Sequence, residues 1–440
     1  MSTAEILDFI DGSSADHLRG DPITGDRYWD PAFMEREWDH MWTRIWHIGG
    51  WMAELQEPGD YVVHNFRYES VIMILQESGD VKAFYNPCQH RGNRLAWSQS
   101  GSGDGFTCSY HGWHFGVDGV LTHAQDPDDF EGGDPCGRVS LVEVPCDTWG
   151  GLIWYSMDEN APALMDYLEP MPALFKNRDL DTSVRVIWRT FEVDANWKFA
   201  SDNFNESYHL PTVHPELRTT TDEDYKNTLF YAYPSGHNMM IEQGQPSMRA
   251  DKPNEVEPPF DTFLSDWDLD PADFAGRSRE GRLAIQAQKR KLWKEKGYLH
   301  YEKMTDGELT DFYHHTLFPN VTMTGNADGT HIFRTEPHLT DPKKCTFDYW
   351  YLANIVEGEE AVTIVGPRAF EEAPHEHFVY GSGAVVEDMM ESFLIQDLSV
   401  AVGQQKGLHS RGYKDAILAG QESRIRRFHE VLNDYLEGRR

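Results

Sequence analysis

Residues 86–119 read NPCQHRGNRLAWSQSGSGDGFTCSYHGWHFGVDG and carry two thiols and two imidazoles in two short segments. The first segment pairs Cys88 with His90, and the second pairs Cys108 with His111. Thiolates and imidazoles are common ligands of zinc and iron, so four of them in one stretch indicate a metal site. Each segment contributes one ligand of each kind, and this mixture bears on which metal is bound.

Two kinds of metal centre use two Cys and two His ligands. Structural zinc sites do so, but they usually take two Cys from one loop and the other two ligands from a second segment. In a Rieske-type [2Fe-2S] cluster, one iron is bound by both thiolates and the other by both imidazoles. Two loops that each supply one Cys and one His match the cluster better, and zinc remains the alternative.

The residues around the four ligands agree with a cluster. Gly92 follows His90 and Arg91, Gly112 follows His111, and each glycine allows the backbone to adopt positive φ in a tight loop. Amide N–H groups in such loops can donate hydrogen bonds to cluster sulfides. Arg91, Tyr110 and Trp113 flank the histidines, and we expect them to shield and tune the site.

A second group of candidate ligands lies in residues 196–214, NWKFASDNFNESYHLPTVH. On a helix, Glu206 and His209 would share one polar face. Pro211 disfavours helical geometry at the residue before it, so we expect the helix to end just after His209 and the chain to turn, bringing His214 alongside. Two histidines and a carboxylate with open positions are the usual ligands of Fe(II) that activates O2. A solvent-facing amphipathic helix is the alternative.

Both segments resemble one protein family. The pattern C-x-H-R-G followed by C-x-x-H-G-W is similar to the cluster motif of the Rieske non-haem iron ring-hydroxylating oxygenases, and residues 196–214 are similar to the catalytic motif of their large (alpha) oxygenase component. The resemblance implies that Cys88, His90, Cys108 and His111 bind a [2Fe-2S] Rieske cluster.

The same resemblance implies that His209 and His214 bind a mononuclear Fe(II). The third ligand in the family is an Asp near the C-terminus, some eight residues before a Q-x-G-L-x-S motif. Here QDLSVAVGQQKGLHS places Asp397 eight residues before Gln405, so the role is carried to Asp397. Asp388 is the rival carboxylate.

Three further residues are expected to take part in catalysis. Glu206 occupies the position where the family usually has an Asp that links the iron-bound histidine to a Rieske histidine of a neighbouring subunit. Such a carboxylate can fix the tautomer of the ligand imidazole. Glu in place of Asp resembles the branches that act on non-aromatic or quaternary ammonium substrates. Asn203 resembles an Asn found near the iron, and Asp202 is expected to support the helix or the bridge.

The resemblance also implies an α+β fold. An N-terminal antiparallel β Rieske [2Fe-2S] domain would precede a C-terminal helix-grip (START-like) catalytic domain, in which helices cover an antiparallel sheet. The implied function is that of a terminal oxygenase component, which uses O2 and NAD(P)H-derived electrons to hydroxylate a hydrophobic, aromatic small molecule. The alternative is a Rieske monooxygenase that removes N- or O-alkyl groups from a xenobiotic or a quaternary ammonium substrate.

The implied partners are a ferredoxin, an NAD(P)H-dependent reductase, or both. The sequence contains no P-loop and no G-x-G-x-x-G for a nucleotide, so electrons are expected to come from a separate protein. The family implies a homotrimer and leaves a separate β subunit open. Candidates for the lining of the substrate pocket are the apolar residues Phe230, Met239, Met240, Leu317 and Phe333, and a place in the core is the favoured alternative for each. One of His314 and His315 is a further candidate for contact with the substrate.

Composition excludes several other classes of function. The chain has 73 acidic and 39 basic residues and a formal net charge of -34, which should repel nucleic acid and anionic membranes. Its five cysteines form no dense framework, which favours a reducing compartment. We find neither a signal peptide nor an apolar run long enough to cross a bilayer, and therefore expect a cytoplasmic protein.

A chain of 440 residues is longer than one domain usually needs, and we expect two. We predict an N-terminal helical segment packing on the catalytic domain at 1–45, a Rieske domain at 46–160 and a catalytic domain at 161–440. Within the last, a strand is predicted at Gly329–Pro337 and a closing helix at Ser423–Leu436.

The opening segment contains apolar residues at roughly helical spacing, followed by two glycines that we expect to end the helix. The apolar residues are Phe33, Trp38, Met41, Trp42 and Ile45, and the glycines are Gly49 and Gly50.

Overall fold

A computed structural model describes residues 18–363, 366–380 and 392–440. Contacts divide the chain into two compact units, one formed by Glu37–Tyr167 and the other by Leu168–Arg440 with the residues up to Arg36. The predicted boundaries after residues 45 and 160 remain predictions. Within the described ranges, no helix is both long and apolar enough to cross a membrane.

The unit Glu37–Tyr167 is built from short antiparallel strands in three sheets. The strand orders are β1-β11-β10, β5-β2-β3-β4-β9 and β6-β7-β8. These strands are β1 (Trp46–Trp51), β2 (Asp60–Phe66), β3 (Glu69–Leu75), β4 (Val81–Tyr85), β5 (Ser100–Ser102), β6 (Gly105–Thr107), β7 (His114–Gly116), β8 (Leu121–His123), β9 (Glu143–Val144), β10 (Cys146–Trp149) and β11 (Leu152–Ser156).

Strand β3 is central to this unit because both of its faces are buried. Ile72 and Ile74 pack into the apolar cluster that also contains Cys88 and Cys108. Their neighbours on the opposite face, among them Met73, pack into a second cluster with β11. A strand buried on both sides reads as a continuous apolar run rather than an alternation. The loops that carry the candidate ligands therefore rest on a well-packed sheet.

The opening helix is shorter than predicted. Helix α1 (Pro31–Glu37) continues as a π-helical turn over Trp38–Trp42, and β1 then begins at Trp46. Gly49 and Gly50 lie inside β1, so the expectation that they end the helix is wrong. The register of β1 with β11 shifts between Ile48 and Gly50, and a Cβ on Gly49 would overlap the sulfur of Met73. The glycine is needed at this bulge for close packing.

The second unit is built around one large sheet. Among the described residues eight strands join it, in the order β13-β14-β15-β16-β17-β18-β12-β21. All neighbours are antiparallel except β12 and β21. The strands of this unit are β12 (Val184–Val193), β13 (Leu229–Ala232), β14 (Asn238–Glu242), β15 (Phe312–Leu317), β16 (Val321–Gly325), β17 (Gly329–Pro337), β18 (Cys345–Ala353), β19 (Ala361–Thr363), β20 (Gly366–Arg368) and β21 (Glu376–Val379).

Helices complete this unit, and the predicted α+β class is confirmed. The predicted bounds of β17 and of the closing helix are also confirmed. The helices after α1 are α2 (Leu164–Leu168), which spans the boundary between the units, α3 (Met171–Leu174), α4 (Lys198–Asn203), α5 (Leu210–Val213), α6 (Phe260–Ser265), α7 (Gly281–Leu292), α8 (Ser392–Leu408) and α9 (Ser423–Leu436).

One face of the large sheet supports the segment after α4, and we call it the inner face. The ring of Phe204 stacks on that of Phe333 with centroids 4.5 Å apart. The hydroxyl of Thr316 donates to Oδ1 of Asn205 at 2.7 Å. By the strand register, the inner face carries Met240, His314, Thr316, Phe333 and Tyr349.

Candidate active site

The two Cys-His loops of the first unit have the same backbone geometry. In the first loop, the N–H of Gly92 donates to the carbonyl of Cys88 at 2.9 Å, and in the second the N–H of Gly112 donates to the carbonyl of Cys108 at 3.0 Å. Gly92 and Gly112 have φ of +74° and +70°, in the left-handed region that favours glycine. Two matched loops therefore present one Cys and one His each.

The four candidate cluster ligands lie together. Cys88 and Cys108 are buried, and the rings of His90 and His111 have centroids 4.6 Å apart. Nδ1 of each histidine is buried and has no hydrogen-bond partner among the described residues. Buried polar atoms are normally satisfied, so this pair of unpartnered nitrogens fits a bound metal centre. The residues present fit a [2Fe-2S] cluster held by two thiolates and two imidazole nitrogens.

Aromatic rings surround the histidines as expected. The indole of Trp113 stacks on His90 with centroids 4.7 Å apart, and Tyr110 lies against His111 at 3.7 Å. Burial and the nearby charges of His111 and Arg91 lower the pKa of His90. A neutral imidazole keeps the lone pair that a metal needs.

Asn93 is a residue of this site that the sequence reasoning did not find. Its side-chain amide donates to Sγ of Cys108 at 3.6 Å. A hydrogen bond to a ligand sulfur stabilises the thiolate and tunes a cluster. Its place directly after Gly92, inside the first loop, is the signal that could have found it.

The helix in residues 196–214 ends earlier than predicted. Helix α4 stops at Asn203, not after His209, and a short helix α5 carries Pro211 near its start. Proline fits the first turn of a helix, where its missing N–H is not needed. His209 and His214 therefore flank α5, and Tyr208 is exposed.

The structure brings His209, His214 and Asp397 together. Each offers one ligand atom, and these atoms all lie within 4.8 Å of one another. Nε2 of His214 lies 2.8 Å from Oδ1 of Asp397, and Nε2 of His209 lies 3.7 Å from the same oxygen. Two imidazoles and one carboxylate on one side of a site fit the ligand set of non-haem iron. Asp388, the rival carboxylate, lies outside the described residues.

A hydrogen bond fixes the orientation of each candidate iron-binding histidine. Nδ1 of His209 donates to Oε1 of Glu206 at 2.8 Å, and Nδ1 of His214 donates to Oε1 of Gln396 at 2.6 Å. With its proton on Nδ1, each ring keeps the lone pair of Nε2 for a metal. The sequence did not indicate Gln396, because its contact with His214 joins two distant parts of the chain.

The electrostatics of this group are dominated by carboxylates. Burial acts to lower the pKa of His209, but the hydrogen bond and charge of Glu206, with the charges of Asp397 and Glu242, outweigh it. The pKa of His209 is therefore raised. Such an excess of negative charge suits a bound cation.

The two other predicted catalytic residues have different surroundings. Nδ2 of Asn203 is buried without a hydrogen-bond partner among the described residues. Asp202 accepts from the hydroxyl of Tyr28 at 2.6 Å and from Nε2 of His429 at 3.0 Å. Asp202 therefore ties α4 to α9 and to residues near the N-terminus.

The candidates for the pocket lining fall on both faces of the sheet. Phe230, Met240, His314 and Phe333 belong to the inner face. The remaining candidates point to the opposite face, because side chains alternate along a strand. These are Met239, His315 and Leu317.

Two family models match the chain. The model described as Ring hydroxylating alpha subunit (catalytic domain) matches residues 180–438. The model described as Rieske [2Fe-2S] domain matches residues 46–134, which contain all four Cys and His residues of the matched loops. A [2Fe-2S] cluster, rather than zinc, is therefore the cofactor of the first unit.

Relatives with known activities are similar to part of the chain. The carnitine monooxygenase oxygenase subunit of Escherichia coli is 29% identical over 231 residues, which cover 49% of this chain and 61% of the relative. The glycine betaine monooxygenase oxygenase subunit of Pseudomonas aeruginosa is 31% identical over 195 residues, which cover 44% of each. The chain thus spans less than two thirds of the length of these relatives.

Solved structures are similar over nearly the whole chain. A quaternary ammonium Rieske monooxygenase, CntA, aligns with a TM-score of 0.65 and 19% identity, covering 94% of this chain and 95% of that one. At this level of identity the likeness shows the fold.

Proposed function

This chain belongs to the family of Rieske ring-hydroxylating oxygenase alpha subunits, and we propose that it is the terminal oxygenase component of a monooxygenase acting on a small quaternary ammonium compound. The observation that carries the proposal is the convergence of His209, His214 and Asp397 beside Glu206. An electron-carrying domain and an iron-ligand triad in one chain support oxygenase chemistry rather than electron transfer alone.

The side chains of the second unit have separate tasks in this proposal. His209, His214 and Asp397 hold the mononuclear iron, while Glu206 and Gln396 keep the two imidazoles in the right tautomer. When bound, the cluster supplies electrons and the mononuclear iron activates O2. The inner face beside the triad then positions the substrate.

The choice of substrate class rests on two observations. The relatives from Escherichia coli and Pseudomonas aeruginosa are named for carnitine and glycine betaine, both of which carry a quaternary ammonium group. Glu206 also stands where an Asp is usual in the branches that act on aromatic rings. Hydroxylation of a carbon next to the nitrogen would replace C–H by C–OH, after which the C–N bond can break to leave an amine and a carbonyl.

A second candidate function is hydroxylation of an aromatic compound. The inner face carries stacked rings, with Phe204 on Phe333 at 4.5 Å and Phe333 on Tyr349 at 5.2 Å. Such a wall also suits a flat apolar substrate. The test of the proposal therefore includes a flat apolar compound.

Monooxygenation needs two electrons and two protons for each O2, since one oxygen atom enters the product and the other becomes water. We propose that NAD(P)H supplies the electrons through a separate reductase, with or without a ferredoxin. We also propose a homotrimer, in which the cluster of one subunit serves the iron of its neighbour. Light scattering of the purified protein would measure the subunit number.

The proposal is tested by oxygen uptake with NADH and a surrogate reductase. Carnitine, glycine betaine, choline and naphthalene are compared, and the products are identified. We expect uptake coupled to product with at least one quaternary ammonium compound. Coupled uptake with naphthalene alone would favour the second candidate, and a protein that retains bound iron but consumes no O2 with any substrate would contradict both.

A further inference from the structure

Two buried glutamates in the second unit have oxygens without hydrogen-bond partners. Glu223 and Glu242 are each only 1% exposed. Both carboxylate oxygens of Glu223 and Oε1 of Glu242 are unpartnered within the described part of the chain. Burying a carboxylate without compensation is costly, so such groups are normally paired with a cation or a donor.

An isolated backbone bridge brings together the two segments that carry the glutamates. Asp222 forms an antiparallel bridge with Gln243, the residue after Glu242. If the antiparallel pairing continued by one residue beyond this isolated bridge, Glu223 would lie opposite Glu242, and residues in such a pair have Cβ atoms roughly 5 Å apart. Because side chains alternate, both point to the opposite side from Asp222, whose carboxylate pairs with Arg279 at 2.7 Å.

The pair belongs to the inner face. Met240 lies two residues before Glu242 on β14 and therefore on the same face. The hydroxyl of Ser207, in the segment that carries the iron ligands, contacts the sulfur of Met240 at 3.4 Å. The glutamates thus lie on the face against which the candidate iron-binding segment packs.

The charges of Arg424 and His209 act on Glu242, but among the described residues no cationic side chain forms an ion pair with Glu223. Nε2 of His314 donates to Oε2 of Glu242 at 3.1 Å, and Nδ1 of His314 lies 3.0 Å from the hydroxyl oxygen of Thr324, so this ring reaches only one of the two oxygens of Glu242. Arg424 is buried nearby, but it forms no ion pair with either glutamate among the described residues. Its three nitrogens donate to uncharged acceptors on Asn238, Phe204, His314 and Thr316.

We propose that Glu223 and Glu242 form the subsite that receives the cationic group of the substrate. A quaternary ammonium ion carries a positive charge but has no N–H to donate. It therefore offsets the charge of the two carboxylates without requiring a hydrogen bond to their unpartnered oxygens. The ring of Phe312, directly across from Glu242 in the register, offers a face for a cation–π contact. The inference rests on the proposed function, because it assigns the substrate class of the same site.

The test measures binding and leaves turnover aside. Choline and its neutral carbon analogue, 3,3-dimethylbutan-1-ol, are titrated calorimetrically into the iron-loaded protein at constant ionic strength, with glycine betaine, carnitine and tetramethylammonium as further cations. The variants are Glu223→Gln and Glu242→Gln, which keep the shape and remove the charge. Glu192→Gln, at a half-exposed position of the same sheet, is the matched control. Cluster absorbance and thermal unfolding report whether each variant folds.

We expect each site variant to bind the cationic ligands about tenfold more weakly or worse, a loss of about 1.4 kcal/mol, and to bind the neutral alcohol unchanged. The control should behave like the wild type. Wild-type affinity in both site variants would overturn the subsite, as would a wild-type protein that binds none of the cations. Stoichiometric Ca2+ binding lost in the variants would overturn it too, by assigning the pair to an inorganic cation.

The outcomes separate this inference from the proposed function. If both site variants oxidise a quaternary ammonium compound as the wild type does, the subsite is refuted and the proposed function is not. If the wild type binds choline in a charge-dependent way but takes up no oxygen, the proposed activity is refuted and the subsite is not.

Discussion

His209 and Glu206 are joined by two hydrogen bonds. Nδ1 of His209 donates to Oε1 of Glu206 at 2.8 Å, and its backbone N–H donates to Oε2 at 3.0 Å. One carboxylate therefore fixes both the backbone and the ring of a candidate iron ligand. Glu has one more methylene than Asp, and this extra length helps it to reach both groups of a residue only three positions away.

Replacing Glu206 by Ala should abolish turnover and leave the visible spectrum of the cluster unchanged. The ring of His209 would lose the acceptor that orients it, and the proposed bridge between the redox centres would be absent. Loss of the orienting partner alone typically lowers metal affinity or activity about 10- to 100-fold, and loss of the proposed bridge removes the electron path as well. Oxygen uptake and the absorption spectrum are the measurements. Glu206→Gln keeps an acceptor and should retain more activity than Ala, whereas wild-type turnover in the Ala variant would refute the bridging role.

Asp397→Ala should remove the mononuclear iron and spare the cluster. Its carboxylate is the anionic member of a triad whose ligand atoms lie within 4.8 Å of one another. Iron analysis should find three irons per chain in the wild type, two in the [2Fe-2S] cluster and one at the mononuclear site. In the variant it should find only the two cluster irons. Asp415→Ala, at an exposed position, is the control. A variant that keeps its third iron would point to another carboxylate, such as Asp388.

Gln396→Leu should weaken iron binding without unfolding the protein. Oε1 of Gln396 accepts from Nδ1 of His214 at 2.6 Å and so holds Nε2 toward Asp397. We expect the dissociation constant for Fe(II) to rise about 10- to 100-fold, measured by competition with a chelator. Gln404→Leu makes the same change at an exposed position of α8 and should have no effect. Equal effects of the two substitutions would contradict the orienting role.

The elements of the fold whose bounds the sequence predicted are those with a local sequence pattern. The alternation in β17 and the amphipathic spacing in α9 depend on near neighbours, and both elements have the predicted bounds. Tertiary packing decides other features. Gly49 lies within a strand because Met73 occupies the space a side chain would need, and α4 ends at Asn203, well before the predicted end after His209.

In the site, too, some residues can be predicted from the sequence and others only from the tertiary structure. The ligand candidates His209 and His214 follow from residue type, spacing and one proline, and Asp397 follows from family resemblance. The structure brings these three together. Gln396 and the pair formed by Glu223 and Glu242 depend on contacts between distant parts of the chain, which no local pattern encodes.

Asp202→Asn should lower stability and leave the iron content unchanged. Its buried carboxylate accepts from Tyr28 and His429, and an amide cannot accept at both of its ends. Leaving a buried donor unsatisfied costs about 1–3 kcal/mol, which urea denaturation would measure. Asp194→Asn, at an exposed position, should cost little. Loss of iron at full stability would instead make Asp202 part of the metal site.

His331→Gln should reduce the loss of stability in mild acid. Burial, with repulsion from His314, lowers the pKa of His331 to about 3, while an unfolded histidine has its usual pKa of about 6.5. The neutral ring of His331 therefore makes its full contribution to the free energy of unfolding above a pH of about 6.5. This contribution falls as the pH drops toward 3, because the unfolded chain takes up the proton first. Between pH 6.5 and 5 this contributes a loss of about 2 kcal/mol.

The measurement for His331 is urea denaturation at pH 7.5 and pH 5.0, in the variant and in the wild type. Burial also lowers the pKa of His315 and of His429, which adds a slope of the same sign, so the quantity compared is the difference between the two proteins. His123→Gln, at an exposed position, is the control. If the variant lost as much stability in acid as the wild type, the ring of His331 would have to accept a proton in the folded state as readily as in the unfolded chain.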